Sequence, residues 1–164
     1  MFILPEVIAR AQKFVEDRHL SLADVIGAGK DGSVWQTTRS SALKIHVIDS
    51  SYTVERNAYM RFRDLNVSNV AGFAIPKLLE FDDELLAIEM TGVTPPYLVD
   101  FASAIFDVEP DFIEDDGHTF EDFIRTRFDA RADAVLDLYY ELAARTGIYL
   151  TDMHSQNVKF SNAD

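Results

Sequence analysis

The segment LADVIGAGKDGSVWQTTRSSALKIHV, residues 22–47, decides how the chain is to be read. Strand-forming residues mark Leu22-Ala23-Asp24-Val25-Ile26 and Val34-Trp35-Gln36-Thr37, and an apolar run, Ala42-Leu43-Lys44-Ile45-His46-Val47, marks a third strand. Between the first two lie Gly27, Gly29 and Gly32 in Gly-x-Gly-x-x-Gly spacing. With no Cβ in the way, backbone amides there can approach anionic oxygens. Glycines so spaced either lead into a helix, as in dinucleotide-binding folds, or join two antiparallel strands. Val34-Trp35 and Thr37-Thr38 follow Gly32 directly, so these glycines are expected to join strands. A glycine-rich hairpin with no ligand has the same pattern.

Lys44 sits in the middle of the apolar third strand, where burying its charge is expensive without an anionic partner. An edge strand with Lys44 facing solvent is the alternative, since side chains alternate along a strand. Residues 52–65 read as a helix with Val54, Ala58, Phe62 and Leu65 on one stripe and Glu55 beside it in the first turn. From there Glu55 can reach Lys44 if the helix packs on the third strand; a carboxylate favoured by the helix dipole explains it equally. Residues 75–81 and 85–90 read as strands joined at Asp82-Asp83, which predicts an α+β fold built on a five-stranded antiparallel sheet with one helix. Residues 4–19 read as a further amphipathic helix, with Ile8, Ala11 and Val15 on one stripe beside Phe14 and Pro5 in the first turn.

The break at Gly92, followed by Pro95-Pro96, divides residues 1–92 from a smaller, helical part, 93–164. Residues 98–106 look helical and apolar, and 107–118 form an acidic linker. Its Glu109, Asp111, Glu114, Asp115 and Asp116 read as a solvated loop rather than a cation site. Residues 119–127 form a helix with Thr119 and Asp122 as a capping box. Residues 129–144 form another, packing through Ala134, Leu136, Tyr139, Tyr140 and Ala143 and ended by Gly147. Beyond it, Asp152, His154 and Asn157 fall within six residues between two apolar segments, either as a polar turn or as a set of groups for chemistry. His19, His46 and His118 are scattered and read as structural or surface residues.

Composition narrows the field. The chain has 164 residues, 48% of them hydrophobic, enough for a packed core. With no cysteine it forms no disulfides and has no thiolate metal ligands or nucleophiles. A formal net charge of −13 argues against general nucleic-acid or anionic-membrane binding. No apolar run approaches membrane-spanning length, and a cytoplasmic protein is expected.

Together these features resemble the protein-kinase-like superfamily in its broad sense, which includes small-molecule kinases. The resemblance rests on Gly27-x-Gly29-x-x-Gly32-x-Val34, Lys44, Glu55, the hinge after Ile88-Glu89, and Asp152-x-His154-x-x-Asn157, in that order across residues 22–160. His154, where protein kinases usually carry a lysine, is closer to the aminoglycoside- and choline-kinase loop. Short bacterial kinase-like proteins with a Pro-Pro segment after the hinge are also similar. The resemblance implies ATP and Mg²⁺: the glycine loop over the phosphates, Lys44 held by Glu55 on the α/β-phosphates, and backbone from Glu89 to Thr91 on the adenine. Asp152 would orient an acceptor hydroxyl and Asn157 would hold the metal.

Departures from the family are equally clear. Leu150 stands where the family has a histidine and Thr151 where it has Arg or Gly. After Asn157 the family returns to an Asp-Phe-Gly motif whose Asp binds the main metal ion, and here Asp164 is the only acidic residue in that direction. Neither an activation segment nor a C-terminal helical subdomain is expected. Two functions are therefore expected as alternatives. One is a minimal phosphotransferase acting on a hydroxyl of an unidentified small molecule or protein, with Asp164 or a partner completing the metal site beside Asn157. The other is a catalytically impaired, nucleotide-binding regulatory or interaction module. A homodimer or partner protein is expected over the helical face that a missing lobe would expose.

Overall fold

The computed structural model describes residues 2–112 and 117–162. In chain order these form α1 (Pro5–Glu16), β1 (Leu22–Ala28), β2 (Gly32–Thr37), β3 (Ser41–His46), α2 (Asp49–Asp64), β4 (Asn69–Val70), β5 (Phe73–Ala74), β6 (Leu78–Asp82) and β7 (Ala87–Thr91). After these come β8 (Tyr97–Leu98), β9 (Ala104–Phe106), α3 (Phe120–Phe128), α4 (Ala132–Thr146), β10 (Ile148–Leu150) and β11 (Val158–Lys159). The mixed α+β fold is as expected. So is the five-stranded antiparallel sheet, in the order β1-β2-β3-β7-β6. Among the described residues no helix is long and apolar enough to cross a membrane.

Strand alternation gives this sheet two unlike faces. Trp35, Leu43, Ile45 and Ala87 project to one side and bury α1 through Val7, Ala11, Phe14 and Val15. Ile8, expected on that stripe, is 37% exposed, and Val7 takes its place. On the opposite face Ile88 and Met90 join a larger core with Tyr52, Ala58, Tyr59 and Phe62 of α2. In α2, Glu55 lies on the buried stripe itself, whereas Leu65 at the helix end is half exposed.

The larger core runs without a break into the second half of the chain, through Leu98, Phe101, Ile124, Leu138, Leu142, Ile148 and Val158. A further sheet, ordered β11-β8-β5-β4, likewise draws strands from both sides of residue 92. At Gly92, then, packing continues from one side to the other. Thr119 caps α3 with Asp122 in a reciprocal capping box, as its sequence predicts. A 3-10 turn, Asp129–Arg131, precedes α4, whose buried face is Val135, Leu136, Leu138, Tyr139 and Leu142. Tyr140, expected on that face, is 45% exposed. Gly147 ends α4 with φ +68°, a conformation that suits glycine.

Residues 98–106 do not form the expected helix. Leu98 pairs with Val158, and Ala104-Ile105-Phe106 pair with Leu150-Tyr149-Ile148. Between the two pairings Asp100 has φ +68°, and Asp107 follows with φ +63°, so the backbone turns twice where a helix would run on. A short apolar run carries no periodicity that separates helix from strand, and here distant strands supply the hydrogen bonds.

Candidate functional site

The face of the five-stranded sheet opposite α1 opens onto a cleft of about 880 Å³. Gly27, Gly29, Gly32 and Val34 line it from β1, β2 and the turn between them, Lys44 from β3, Glu55 from α2, and Thr91, Gly92 and Val93 from the end of β7 and just beyond it. Asp100, Asp152, His154, Asn157 and Lys159 line the other side. The volume is in the range of sites that enclose a small molecule or nucleotide.

The glycine hairpin is as read from sequence: β1 and β2 are antiparallel, and the Gly29 N–H donates to the Gly32 carbonyl at 2.9 Å. The three glycines have different reasons to be there. A Cβ on Gly32 would run into the Ile45 carbonyl oxygen, so close strand packing requires that glycine. A Cβ on Gly27 or Gly29 would meet nothing within 4 Å. No protein neighbour explains those two, and both border the open cleft.

Lys44 is buried, 8% exposed, with Nζ donating to Glu55 Oε2 at 2.6 Å and to Asp100 Oδ1 at 3.2 Å. Glu55 is 1% exposed and takes a second contact on the same oxygen, from His46 Nε2 at 2.6 Å. Burial by itself would raise the Glu55 carboxyl, but the Lys44 charge and the His46 hydrogen bond outweigh it and push it down to about 2. Burial likewise opposes the Lys44 charge, and Glu55 and then Asp100 overcome it, so Lys44 is held above its ordinary value. The strand lysine and helix glutamate thus meet as expected.

His46 and Asp100 are the residues that sequence reasoning missed. His46 is two residues from Lys44 and so on the same strand face, a signal that period-2 alternation carried. Asp100 stands beside Phe101 after the Pro-Pro segment, within a stretch read as helix, which hid it.

Residues 152–157 form the turn between β10 and β11. Asn157, 6% exposed, donates through Nδ2 to the Asp152 carbonyl at 2.9 Å. His154 Nδ1 accepts from the Gln156 N–H at 3.2 Å, which puts the proton of a neutral ring on Nε2, 3.7 Å from Asp152 Oδ2. The Asp152 side chain is 54% exposed, its carboxylate open to the cleft.

Of the expected edge from Glu89 to Thr91, where the backbone was to meet a ligand, the Glu89 side chain turns away from the cleft. Glu89 lies on the α1 side of the sheet, fully buried, and its carboxylate accepts from Arg39, with Nε at 2.7 Å, and from the Ser41 hydroxyl. Strand alternation sends Met90 into the cleft and Glu89 away from it, while the Glu89 position is paired across the ladder with Leu43. The open edge of the cleft is instead Thr91 to Val93. Asp164 lies outside the described residues, as do Glu114, Asp115 and Asp116 of the acidic linker.

Among the described residues no group of three or more His, Asp or Glu side chains converges as a ready cation cage. Asp100, Asp152 and Asn157, each with side-chain oxygens, all line the cleft. No protein-family model matches the chain, and no curated protein matches it.

Proposed function

We propose that the cleft binds ATP and that the protein is a kinase-like phosphotransferase, a member of the protein-kinase-like superfamily in its broad sense. The observation that carries this reading is the Lys44 ammonium, nearly buried, held by Glu55 and Asp100, and facing a large cleft beneath the glycine hairpin. A buried cation in such a cleft is suited to phosphate, and Gly27 and Gly29 leave room for phosphate oxygens to meet backbone amides. Thr91 to Val93 border the cleft and offer backbone groups to the edge of an adenine.

In the transfer step the acceptor hydroxyl oxygen bonds to the γ-phosphorus as the bond to the β-bridging oxygen breaks, and ADP leaves. Asp152 accepts the hydroxyl proton, with His154 Nε2 3.7 Å from its carboxylate. Lys44 balances charge on the phosphates, and Glu55 with His46 keeps Lys44 in position. Asn157 and a cleft carboxylate would hold Mg²⁺, which when bound neutralises charge between the β- and γ-phosphates.

Calorimetric titration of ATP with and without Mg²⁺, on the wild type and two variants, tests the reading. Lys44→Ala is expected to weaken ATP binding about 10-fold or more, the loss of a charge-assisted contact. Asp152→Asn is expected to bind ATP as the wild type does while γ-phosphate turnover falls by about 10²-fold or more. No heat from the wild type under either condition excludes nucleotide binding. Binding with no turnover, unchanged in Asp152→Asn, points to a nucleotide-binding regulatory module instead.

A further inference from the structure

A second cavity, of about 340 Å³, lies between residues 109–112 and the helices α3 and α4, and it shares no lining residue with the cleft. Four aromatic rings border it in a row. Phe112 meets Phe120 edge-on with centroids 5.3 Å apart, Phe120 lies 4.3 Å from Tyr139, and Tyr139 meets Tyr140 at 5.3 Å. Glu109 and Asp111, read from sequence as part of a solvated loop, border the same space. Neither carboxylate takes a hydrogen bond or an ion pair from a described residue. Tyr139 distinguishes this cavity from a mere gap in packing. It is 4% exposed, yet its hydroxyl makes no hydrogen bond with a described residue. Among the described residues Arg56 Nε is the one side-chain atom sealed from solvent without a partner. The Tyr139 hydroxyl therefore keeps access to open space, and the open space that Tyr139 borders is the cavity. Burial, with the Glu109 charge second, pushes Tyr139 up to about 12, so the hydroxyl is neutral and both donates and accepts.

The chemistry of the walls selects the ligand. Ring faces and carboxylates are both negative, so a cation is favoured and an anion repelled. A metal ion does not fit, since among the described residues no three His, Asp or Glu side chains converge to hold one. A cation with N–H groups satisfies the Tyr139 oxygen and the carboxylates together, which a quaternary ammonium does not. The volume falls at the small end of ligand sites, where an alkyl chain with one charged head fits. We propose that this cavity binds a small organic cation bearing N–H donors, an alkylammonium or guanidinium group. Its charge meets Glu109 and Asp111, an N–H donates to the Tyr139 oxygen, and its stem lies along the Phe112 and Phe120 rings. The site is separate from the nucleotide cleft and does not depend on the reading given to that cleft.

The probe is n-butylammonium, titrated into the full chain at low ionic strength and followed by amide NMR. It is expected to shift the resonances of Glu109, Phe120 and Tyr139 and to bind about 10-fold or more tightly than n-butanol or tetramethylammonium. Glu109→Gln combined with Asp111→Asn changes only exposed side chains and should weaken binding about 10-fold. Tyr139→Phe keeps the ring and should weaken it about 5-fold through loss of the hydroxyl. Equal binding of n-butanol, or full affinity in the Glu109→Gln, Asp111→Asn double variant, overturns the proposal. So does the absence of any shift at those three residues in tens of millimolar probe, a result that needs no variant. Nα-acetyl-lysine methylamide, titrated alongside, separates the two sources of such a cation. Binding equal to that of n-butylammonium supports a lysine side chain of a partner as the occupant, and binding about 10-fold weaker supports a free amine.

Discussion

Lys44, Glu55 and His46 make one charged group inside an apolar surround, and its stability depends on pH with a definite sign. Glu55 carries a proton near 4.5 when unfolded and only near 2 when folded. Between those values the unfolded chain binds more protons, so stability falls as pH drops from about 4.5 to about 2, by an amount on the order of 3 kcal/mol. Urea unfolding followed through that range should show the fall, and Glu55→Gln should lack this component. The same substitution at neutral pH leaves Lys44, among the described residues, with the 36%-exposed Asp100 as its charged partner and should cost about 3 kcal/mol or more in the same melts. On the basic side the raised Lys44 contributes stability that is complete below its ordinary 10.5 and is lost as pH climbs through its higher folded value. At this scale the sequence was informative where a residue broke a local pattern, as Lys44 does in an apolar strand. It was harder to read where a residue looked ordinary, as His46 does among scattered histidines, although strand alternation puts it on the Lys44 face.

At the scale of single elements, the β1–β2 hairpin contains glycines with two different duties. Gly32→Ala drives a methyl into the β3 backbone at Ile45 and should cost about 2 kcal/mol or more. Gly29→Ala meets no neighbour and should lie within about 1 kcal/mol of the wild type in a thermal melt, yet weaken ATP binding in calorimetry. Equal stability losses from the two would remove the distinction. α3 offers an independent check, since Thr119→Ala deletes one half of its capping box and should cost about 1 kcal/mol in urea melts. The long periodic helices and the strands around the glycines were legible because each carries its own signal over many residues. The segment 98–106 was not, because its strands exist only through partners at 148–150 and 158.

For the molecule as a whole, the five-stranded sheet separates two cores, one under α1 and one shared by α2, α4 and the short strands. Ile45 belongs to the first and Ile148 to the second, so Ile45→Val and Ile148→Val should each cost about 1 kcal/mol. The double variant should equal their sum to within about 0.5 kcal/mol in chemical denaturation. A larger coupling would mean that the sheet transmits packing strain from one face to the other. What the sequence determined by itself was local: a glycine turn between strands, a lysine too costly to bury alone, and helices with caps and apolar stripes. These follow from φ/ψ preference, side-chain period and desolvation, which act over a few residues. Tertiary structure alone decided which face of the sheet became the cleft, and with it that Met90 enters and Glu89 does not. It also brought Asp100 beside Lys44, 56 positions away in sequence, since the pairing of β8 with β11 depends on hydrogen-bonding partners in space and takes no account of their order along the chain.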